Sequence, residues 1–579
     1  MAMKLRIWRN NQFNVWQPNI WDAVLLLLLF TILITLAWGA KQMSTPYQLG
    51  EVLPISLAPN QLPFYALRTV LRIFIALAFS LLFTFVIGSA AARSKHCERI
   101  LIPLIDILQS VPVIGFLSIT VVGFIKLFPN SLLGPECAAI FVVFTSQAWN
   151  MTLGFYQSMR TVPTQLREAS SMLRLSSWQR FWRVEVPFAM PSLIWNTMMS
   201  MSASWFMIVA SEAITVNKQS IMLPGIGSYI ATAIMHANKL AVLYAISTML
   251  IVIILYDQLL FRPLISWSEK FKSADAKQEE GAASLLLTLL KKTKLFIFVG
   301  DAIGIFLDAI INIRFGKNSA FIKSKISQRI TNTKLIYLWY GLLVIIGFIV
   351  LFLLARFIFV NISFHETLHV VLLGSFTALK IIILMLLCAL IWIPVGVWIG
   401  LRPKIARMAQ PIAQFTAAFP ANLLYPIVVL LIVKYSLNAQ IWTTPLMVLG
   451  TQWYVLFNVI AGTTALPNDL VQVNQNLGVK NWLWWRKFIL PGIFPYIITG
   501  FITAAGGAWN ASILTEYITW GQHTVIAPGI GAYFTQVSAS GDFPRIALGL
   551  SIMSLYVLFF NRFLWRPLYN LAEKRYQLD

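Results

Sequence analysis

The chain has 579 residues, of which 58% are hydrophobic and only 11% are charged, and its mean hydropathy is +0.74. Soluble domains carry about 25% charged residues, so this composition excludes a soluble globular protein and predicts an integral membrane protein with short loops. The formal net charge of +23 does not indicate a nucleic-acid partner, because most of the Lys and Arg residues fall on one predicted side of the bilayer, as cytoplasmic loops require.

The first apolar segment follows a basic N-terminus. Lys4, Arg6 and Arg9 precede an apolar run at 23–40. This run is long for the core of a signal peptide and has no clear small-residue cleavage site. We therefore interpret it as an uncleaved first span with the N-terminus inside.

Apolar stretches long enough to cross a bilayer recur through the chain. They lie near 22–40, 67–92, 101–125, 136–157, 189–213 and 241–261, and then near 335–355, 374–400, 411–433, 441–461, 492–516 and 545–563. Residues 1–270 and 335–579 thus each contain an even number of predicted spans, which gives the two segments the same orientation.

The segment between them, 271–334, reads as a linker. A charged stretch opens it, and later apolar runs are interrupted by Lys291, Asp301 and Asp308, among others. One extra membrane span in this segment would invert the second half and place the basic residues near Arg402 on the outer side of the membrane. We therefore predict one or two helices within 281–313 that lie on the cytoplasmic membrane surface.

The two large segments are copies of one another. Leu223-Pro224-Gly225-Ile226-Gly227 recurs 304 residues further on as Ala527-Pro528-Gly529-Ile530-Gly531, and Arg262-Pro263-Leu264 recurs as Arg566-Pro567-Leu568. Duplicated membrane halves are typical of transporters. The predicted fold is an all-α polytopic membrane protein of about 12 transmembrane helices, arranged as two homologous six-helix bundles with a pseudo-two-fold axis along the membrane normal.

A basic, semi-polar loop follows the fourth span of each half, at 160–187 and 464–491. The first loop contains Glu168-Ala169-Ser170, then Arg174, then Val184 and Val186-Pro187; the second contains Gln472-Val473-Asn474, then Gly478, then Phe488 and Leu490-Pro491. Each copy resembles the EAA loop of ABC importer permeases: E-A-A, three residues, G, nine residues, I, one residue, L-P. Arg174 replaces the motif's glycine in the first copy, and Gln472 replaces its glutamate in the second.

A narrower resemblance rests on the order Trp205, Glu212, Pro-Gly-Ile-Gly and Arg-Pro-Leu. This order looks like that of permeases of the nitrate, sulfonate, taurine and bicarbonate class of ABC importers, here as a fused two-copy chain of the bacterial inner membrane. The resemblance implies two separate ATPase subunits, a periplasmic or lipid-anchored binding protein, and a small anionic solute. It assigns ATPase coupling to Glu168, Ala169, Arg174, Pro187, Gln472, Gly478 and Pro491, and the periplasmic turn to Gly225, Gly227, Gly529 and Gly531.

Several other residues are candidates for the translocation pathway or its gates: Glu212, Glu516, Trp205, Trp509, Gln109, Pro112, Pro420, Gln147 and Asn150. For the two glutamates, a helix-end carboxylate that bonds to the following loop is the favoured interpretation. For the amides, helix packing is favoured. Pro112 and Pro420 predict a shared break in the third span of each half. Arg72 and Lys380 are expected to extend to the lipid headgroups.

Three other functions remain open from the sequence. The first is a fused permease for iron(III) or thiamine, the second an ion-coupled carrier with Glu212 and Glu516 as proton carriers, and the third a membrane scaffold. The chain has no Walker A motif: Gly316-Lys317 is followed by Asn318 and has no glycine at the motif's first position. We therefore expect no enzyme activity, no cofactor and no metal site in this chain, with ATP and Mg²⁺ held by the partner subunits.

Overall fold

The computed structural model describes residues 20–43, 45–47, 53–216, 219–268, 304, 308–309, 311–312 and 333–576. The predicted surface helices of the linker fall almost entirely outside these residues. Within them the chain is mostly helical, and its elements follow the duplication.

The elements of the first half are α1 Ile20–Met43, α2 Pro59–Arg93, α3 Lys95–Ser110, α4 Val113–Leu127, α5 Leu133–Arg160, α6 Thr164–Met172, α7 Ser177–Glu212, β1 Ala213–Val216, β2 Gln219–Met222, α8 Ile226–Met235 and α9 Lys239–Ser268. Those of the second half are α10 Thr333–Asn361, α11 Phe364–Gly400, α12 Pro403–Ala418, α13 Tyr425–Lys434, α14 Ala439–Leu449, α15 Gln452–Thr464, α16 Asn468–Asn476, α17 Asn481–Thr515, β3 Tyr517–Trp520, β4 His523–Ile526, α18 Ile530–Ser540 and α19 Phe543–Ala572.

Among the described residues, 8 helices are long and apolar enough to cross a membrane, or up to 9 if the bent pair α14 and α15 is one span. This confirms a multi-pass membrane protein, but it does not confirm about 12 spans. The third predicted span of each half is two helices rather than one. Its break lies at Pro112 and at Pro420, because proline has no N–H to continue a helix.

Two pairs of π-helical turns inside the long helices recur in both copies, whereas the turn at Thr84–Gly88 of α2 has no counterpart in α11. Short π-helical turns interrupt α7 at Phe181–Glu185 and α17 at Trp485–Ile489, and they interrupt α9 at Asp257–Phe261 and α19 at Asn561–Trp565. Such turns arise where one residue is inserted into the helical ladder. The duplication has therefore preserved backbone irregularities as well as the helices themselves.

The all-α prediction is wrong in one detail, because a short antiparallel hairpin follows α7 and another follows α17. The strand registers pair Ile214 with Ile221 and Ile518 with Val525. We call the end of the bundle that carries β1–β4 the hairpin end. The opposite end, which carries α6 and α16, is the loop end.

The two halves complete each other's hydrophobic core. Val113, Leu117 and Val121 of α4 pack into the cluster formed mainly by the second half. In return, Tyr425 and Val429 of α13 pack into the cluster formed mainly by the first half. Two further sets of contacts between the halves are reciprocal as well: α8 touches β3 while α18 touches β1, and α3 touches α19 while α12 touches α9. This exchange is the relation that a two-fold axis between the copies produces.

Candidate translocation and coupling sites

The EAA-like loops form one short exposed helix each at the loop end. Helix α6 begins after Pro163, and α16 occupies the same place in the second half. Glu168 and Gln472, which occupy equivalent positions, are both exposed. The two copies therefore project matching helices from the bundle, although their charges differ.

The second residue after each helix has the left-handed backbone conformation that the glycine of the motif favours. Gly478 has φ +60, and Arg174 has φ +48. This conformation costs an L-residue roughly 1–2 kcal/mol relative to glycine. Arg174 therefore keeps the turn at some cost in stability, so the departure from the motif changes the side chain and leaves the path of the backbone intact.

The base of the first loop is held by ion pairs that the second loop lacks. Glu185 is nearly buried and pairs with Arg93 of α2 at 2.7 Å and with Arg180 at 3.1 Å. The residue equivalent to Glu185 is Ile489, which is fully buried in the apolar core. Glu185 was not a candidate from the sequence, although an acidic residue just before Val186-Pro187 was a visible signal.

At the hairpin end, Glu212 and Glu516 are fully buried and bond to the turns that follow them. The carboxylate of Glu212 accepts hydrogen bonds from Thr69 Oγ1 at 2.7 Å and from the Gly227 N–H at 2.6 Å. Glu516 accepts the equivalent bonds from Thr377 Oγ1 and from the Gly531 N–H, both at 2.8 Å. Each glutamate thus joins the end of a long helix to the Pro-Gly-Ile-Gly turn.

The first glycine of each turn allows this contact. A Cβ atom at Gly225 would overlap the carboxylate of Glu212, and one at Gly529 would overlap that of Glu516. The second glycine, Gly227, lies directly against the Val209 carbonyl of α7. The glycines are therefore required for close approach to the preceding helix.

A four-residue ionic network surrounds Glu212. Arg72 Nη1 donates to Glu212 at 2.6 Å, and its Nε and Nη2 donate to Glu136 at 2.5 and 2.7 Å. Arg72 also donates to the Pro224 carbonyl at 3.0 Å, and Arg68 donates to Glu136 at 2.6 Å. Two guanidinium groups thus balance two carboxylates in a site that excludes solvent.

The second half uses a single ion pair instead. Lys380 Nζ donates to Glu516 at 2.9 Å and to the Pro528 carbonyl at 2.7 Å. Phe376 takes the place of Arg68, and residues 440–444, near the start of α14, contain no acidic residue. The expectation that Arg72 and Lys380 extend to lipid headgroups is wrong, since Arg72 is fully buried and Lys380 is only 8% exposed. Their buried carboxylate partners hold them inside the bundle.

The proline breaks lie at the seam between the halves. After Pro112, the Val113 N–H donates to Asn510 Oδ1 of α17 at 2.8 Å. After Pro420, Asn422 Nδ2 donates to the Phe206 carbonyl of α7 at 3.2 Å. The acceptors Asn510 and Phe206 occupy equivalent positions, although one bond runs from a backbone N–H to a side chain and the other from a side chain to a backbone carbonyl. Neither asparagine was a candidate from the sequence.

The remaining candidates are scattered. Gln147 is fully buried and bonds to Ser80 at 3.0 Å, and Asn150 bonds to Ser200 at 3.1 Å. Both partners are on neighbouring helices of the same half, as the packing interpretation expects. Gln109 is exposed. The structure therefore does not bring these three amides together.

The two tryptophans differ in their surroundings. Trp509 stacks on Tyr556 with ring centroids 6.1 Å apart. Trp205 lines a small cavity between α7, α9 and α12, and among the described residues neither its Nε1 nor the hydroxyl of Tyr256 has a hydrogen-bond partner. Phe560 stands in the second half at the position of Tyr256. Both halves line the cavity, since Phe415 and Ala418 of α12 complete it.

Comparison with known proteins places this architecture in a family. The family model described as binding-protein-dependent transport system inner membrane component matches the chain twice, over 84–262 and 392–569. The two matches coincide with the two halves of the duplication.

Several curated proteins are similar to parts of the chain. A bicarbonate transport system permease protein of Synechococcus elongatus is 27% identical over 31% of this chain and 60% of its own length. A nitrate import permease protein of Leptolyngbya laminosa is 27% identical over 30% and 60%, and a taurine transport system permease protein of Escherichia coli is 24% identical over 29% and 58%. The chain thus spans little more than half the length of these relatives. Because the two family matches together cover more than half of the chain, it belongs to the family of inner membrane components of binding-protein-dependent transport systems.

Proposed function

We propose that the chain is the transmembrane permease of an ATP-driven importer and that both of its halves line one translocation pathway. The observation that carries the proposal is the pair of matched exposed helices, α6 and α16, at the loop end. A permease that has no ATPase site of its own needs such a projection from each half in order to receive force from an ATPase.

The surfaces of α6 and α16 fit an apolar groove on a partner. Leu166 and Leu173 of the first loop are 43% and 63% exposed, and Leu470 and Leu477 occupy the same positions in the second loop at 40% and 72%. Exposed leucines at a protein end in contact with water indicate a binding surface. We propose that one ATPase subunit docks on each pair.

Charge and the relatives support a proposed orientation and a proposed solute. Because basic residues concentrate at the loop end and in the linker, we propose that this end lies in the cytoplasm of a bacterial inner membrane and the hairpins in the periplasm. A periplasmic or lipid-anchored binding protein then delivers solute to the hairpin end. Bicarbonate, nitrate and the sulfonate of taurine share oxyanion chemistry, so the proposed solute is a small oxyanion.

The geometry of the buried glutamates favours this function over an ion-coupled carrier. A proton carrier needs a carboxylate that releases its proton and binds it again during each cycle. Glu212 and Glu516 each have a cationic partner, a threonine hydroxyl and a backbone N–H as donors. This arrangement braces a turn.

Affinity purification and reconstitution test the proposal. We expect the chain in mild detergent to retain an ABC ATPase at two copies per chain. In proteoliposomes, we expect the purified complex to import an oxyanion only when ATP is present on the side of the membrane that carries the ATPase. Substituting aspartate for both Leu173 and Leu477 is expected to abolish retention of the ATPase. Leu240→Asp changes an exposed leucine at the hairpin end and serves as the matched control. Solute uptake driven by an ion gradient without an ATPase would contradict the proposal.

A further inference from the structure

The hairpin of the second half crosses the seam and rests on the first half. Ile518, Trp520 and Val525 are each no more than 8% exposed, and they pack into the hydrophobic cluster that is formed mainly by the first half and completed by α13. At the hairpin tip, the Gly521 N–H donates to the Ile234 carbonyl of α8 at 2.9 Å. The two strands therefore follow α17 of the second half, and the turn between them contacts the first half.

The contact at the tip is a meeting of two tight turns. Gly521 has φ +56, and Ala237, which follows α8, has φ +49. A Cβ atom built at Gly521 would lie 3.4 Å from the Cβ of Ala237. Ile234 also accepts a bond from the Ala237 N–H at 3.0 Å, so a single carbonyl at the end of α8 holds both turns. We call Gly521, Ile234 and Ala237 the latch.

The latch is small, and the root of this hairpin is less firmly held than that of its counterpart. At the root of β1–β2, Arg72 joins Glu212 to Glu136 of α5. At the root of β3–β4, the cation of Lys380 reaches Glu516 and the turn carbonyl. Among the described residues, charged hydrogen bonds therefore connect the root of β1–β2 to one more helix than they connect the root of β3–β4. The second hairpin is the better placed of the two to move.

We propose that β3–β4 is a gate at the hairpin end of the translocation pathway, that the latch holds it closed, and that it lifts off α8 in each transport cycle. This inference rests on the proposed function. A solute that enters between the halves at this end meets a strand pair whose tip hydrogen-bonds across the seam. Its release breaks one backbone hydrogen bond and exposes a few apolar side chains, which a docking protein or a rearrangement of α17 can replace.

A reversible disulfide across the latch tests the gate. The separation expected between Cβ atoms at 237 and 521 is close to that of natural disulfides. The double variant Ala237→Cys and Gly521→Cys is built after Cys97, Cys137 and Cys388, the free cysteines of the chain, have been replaced by alanine. The complex with its ATPase is reconstituted, and ATP-driven uptake is measured before and after oxidation. We expect oxidation to lower uptake at least tenfold and a reductant to restore it.

The matched control links the two strands of the same hairpin without crossing the seam. Thr519 and Thr524 face each other, are exposed, and lie one pair in from the turn, where alternation along the ladder predicts a close pair without backbone hydrogen bonds. The double variant Thr519→Cys and Thr524→Cys is expected to form its disulfide and to keep transporting.

The outcomes separate the two proposals. If the oxidised Ala237→Cys and Gly521→Cys chain transports as fast as its reduced form, the hairpin is not a gate, although the permease function stands. If the disulfide does not form, the two turns do not meet in the membrane and the latch is wrong. If the cysteine-free chain with its ATPase shows no ATP-driven uptake, the permease function itself fails and the gate fails with it.

Discussion

The ionic network around Glu136 allows a quantitative test of what holds the hairpin end together. Glu136 accepts three charged hydrogen bonds, one from Arg68 and two from Arg72, at 2.5 to 2.7 Å, and all three side chains are no more than 3% exposed. Glu136→Gln leaves two buried guanidinium groups with a single carboxylate, Glu212. Removing one member of a buried ion pair costs about 3–5 kcal/mol, and we expect the free energy of unfolding to fall by that amount.

Replacing Arg68, which loses its carboxylate partner, with an uncharged residue should restore most of the lost free energy of unfolding. The double variant Glu136→Gln and Arg68→Met restores one cation facing one carboxylate, the arrangement that Lys380 and Glu516 have in the second half. Apolar replacement of a buried pair is often close to neutral, so we expect the double variant to lie within about 2 kcal/mol of the parent.

Reversible denaturation of the detergent-solubilised chain measures this double-mutant cycle, and helical circular dichroism confirms that each variant folds. Arg562→Met, which changes an arginine at the loop end of α19, is the control and should have little effect. A double variant that is no more stable than Glu136→Gln alone would show that the loss of stability does not come from the unpaired Arg68.

Three further substitutions test the backbone features of the sites. Gly529→Ala should lower thermal stability and solute uptake together, since the added Cβ overlaps the carboxylate of Glu516. A variant with the uptake and melting temperature of the parent would contradict the close approach of residue 529 to that carboxylate. Arg174→Gly should stabilise the chain by about 1 kcal/mol and Gly478→Ala should destabilise it by about 1 kcal/mol, because both positions have the left-handed backbone conformation. Chemical denaturation measures both changes in the free energy of unfolding, and changes of the same sign would contradict a left-handed conformation at both positions. Tyr256→Phe should change the melting temperature by little or raise it, because the hydroxyl has no partner among the described residues, and a large loss of stability would show that the hydroxyl is bonded.

Much of the architecture was predictable because the duplication carries it. The repeat of Pro-Gly-Ile-Gly and the two EAA-like loops predicted matched elements, and α6, α16 and the turns after α7 and α17 form where expected. The breaks at Pro112 and Pro420 follow from the chemistry of proline. The bonds from Glu212 and Glu516 to the following loops agree with the favoured interpretation of a helix-end carboxylate.

The hairpins and the charged partners were missed for different reasons. Each hairpin is only two strands of 4 residues, and the β-branched run Ile214-Thr215-Val216 was the available signal. The partners of Arg72 are distant in sequence, at 136 and 212, and composition cannot tell an arginine that faces lipid from one that faces a buried carboxylate. Likewise, the exchange of α4 and α13 between the cores depends on long-range packing, which hydropathy does not encode.

The differences between the halves show which features the shared function constrains. The left-handed turns after α6 and α16, the π-helical turns of α7, α9, α17 and α19, and the close-packed glycines recur at equivalent positions, while the charges beside them do not. Where the first half has Glu185 with its arginines, the second has the buried Ile489, and where the first has four charges around Glu212, the second has one pair around Glu516. Among the described residues, the root of the first hairpin is therefore held by more ion pairs than the root of the second, although Arg545 of the second half pairs with Glu366 and Asp542 at the starts of α11 and α19. The gate proposed for β3–β4 thus lies at the root that has fewer ion pairs.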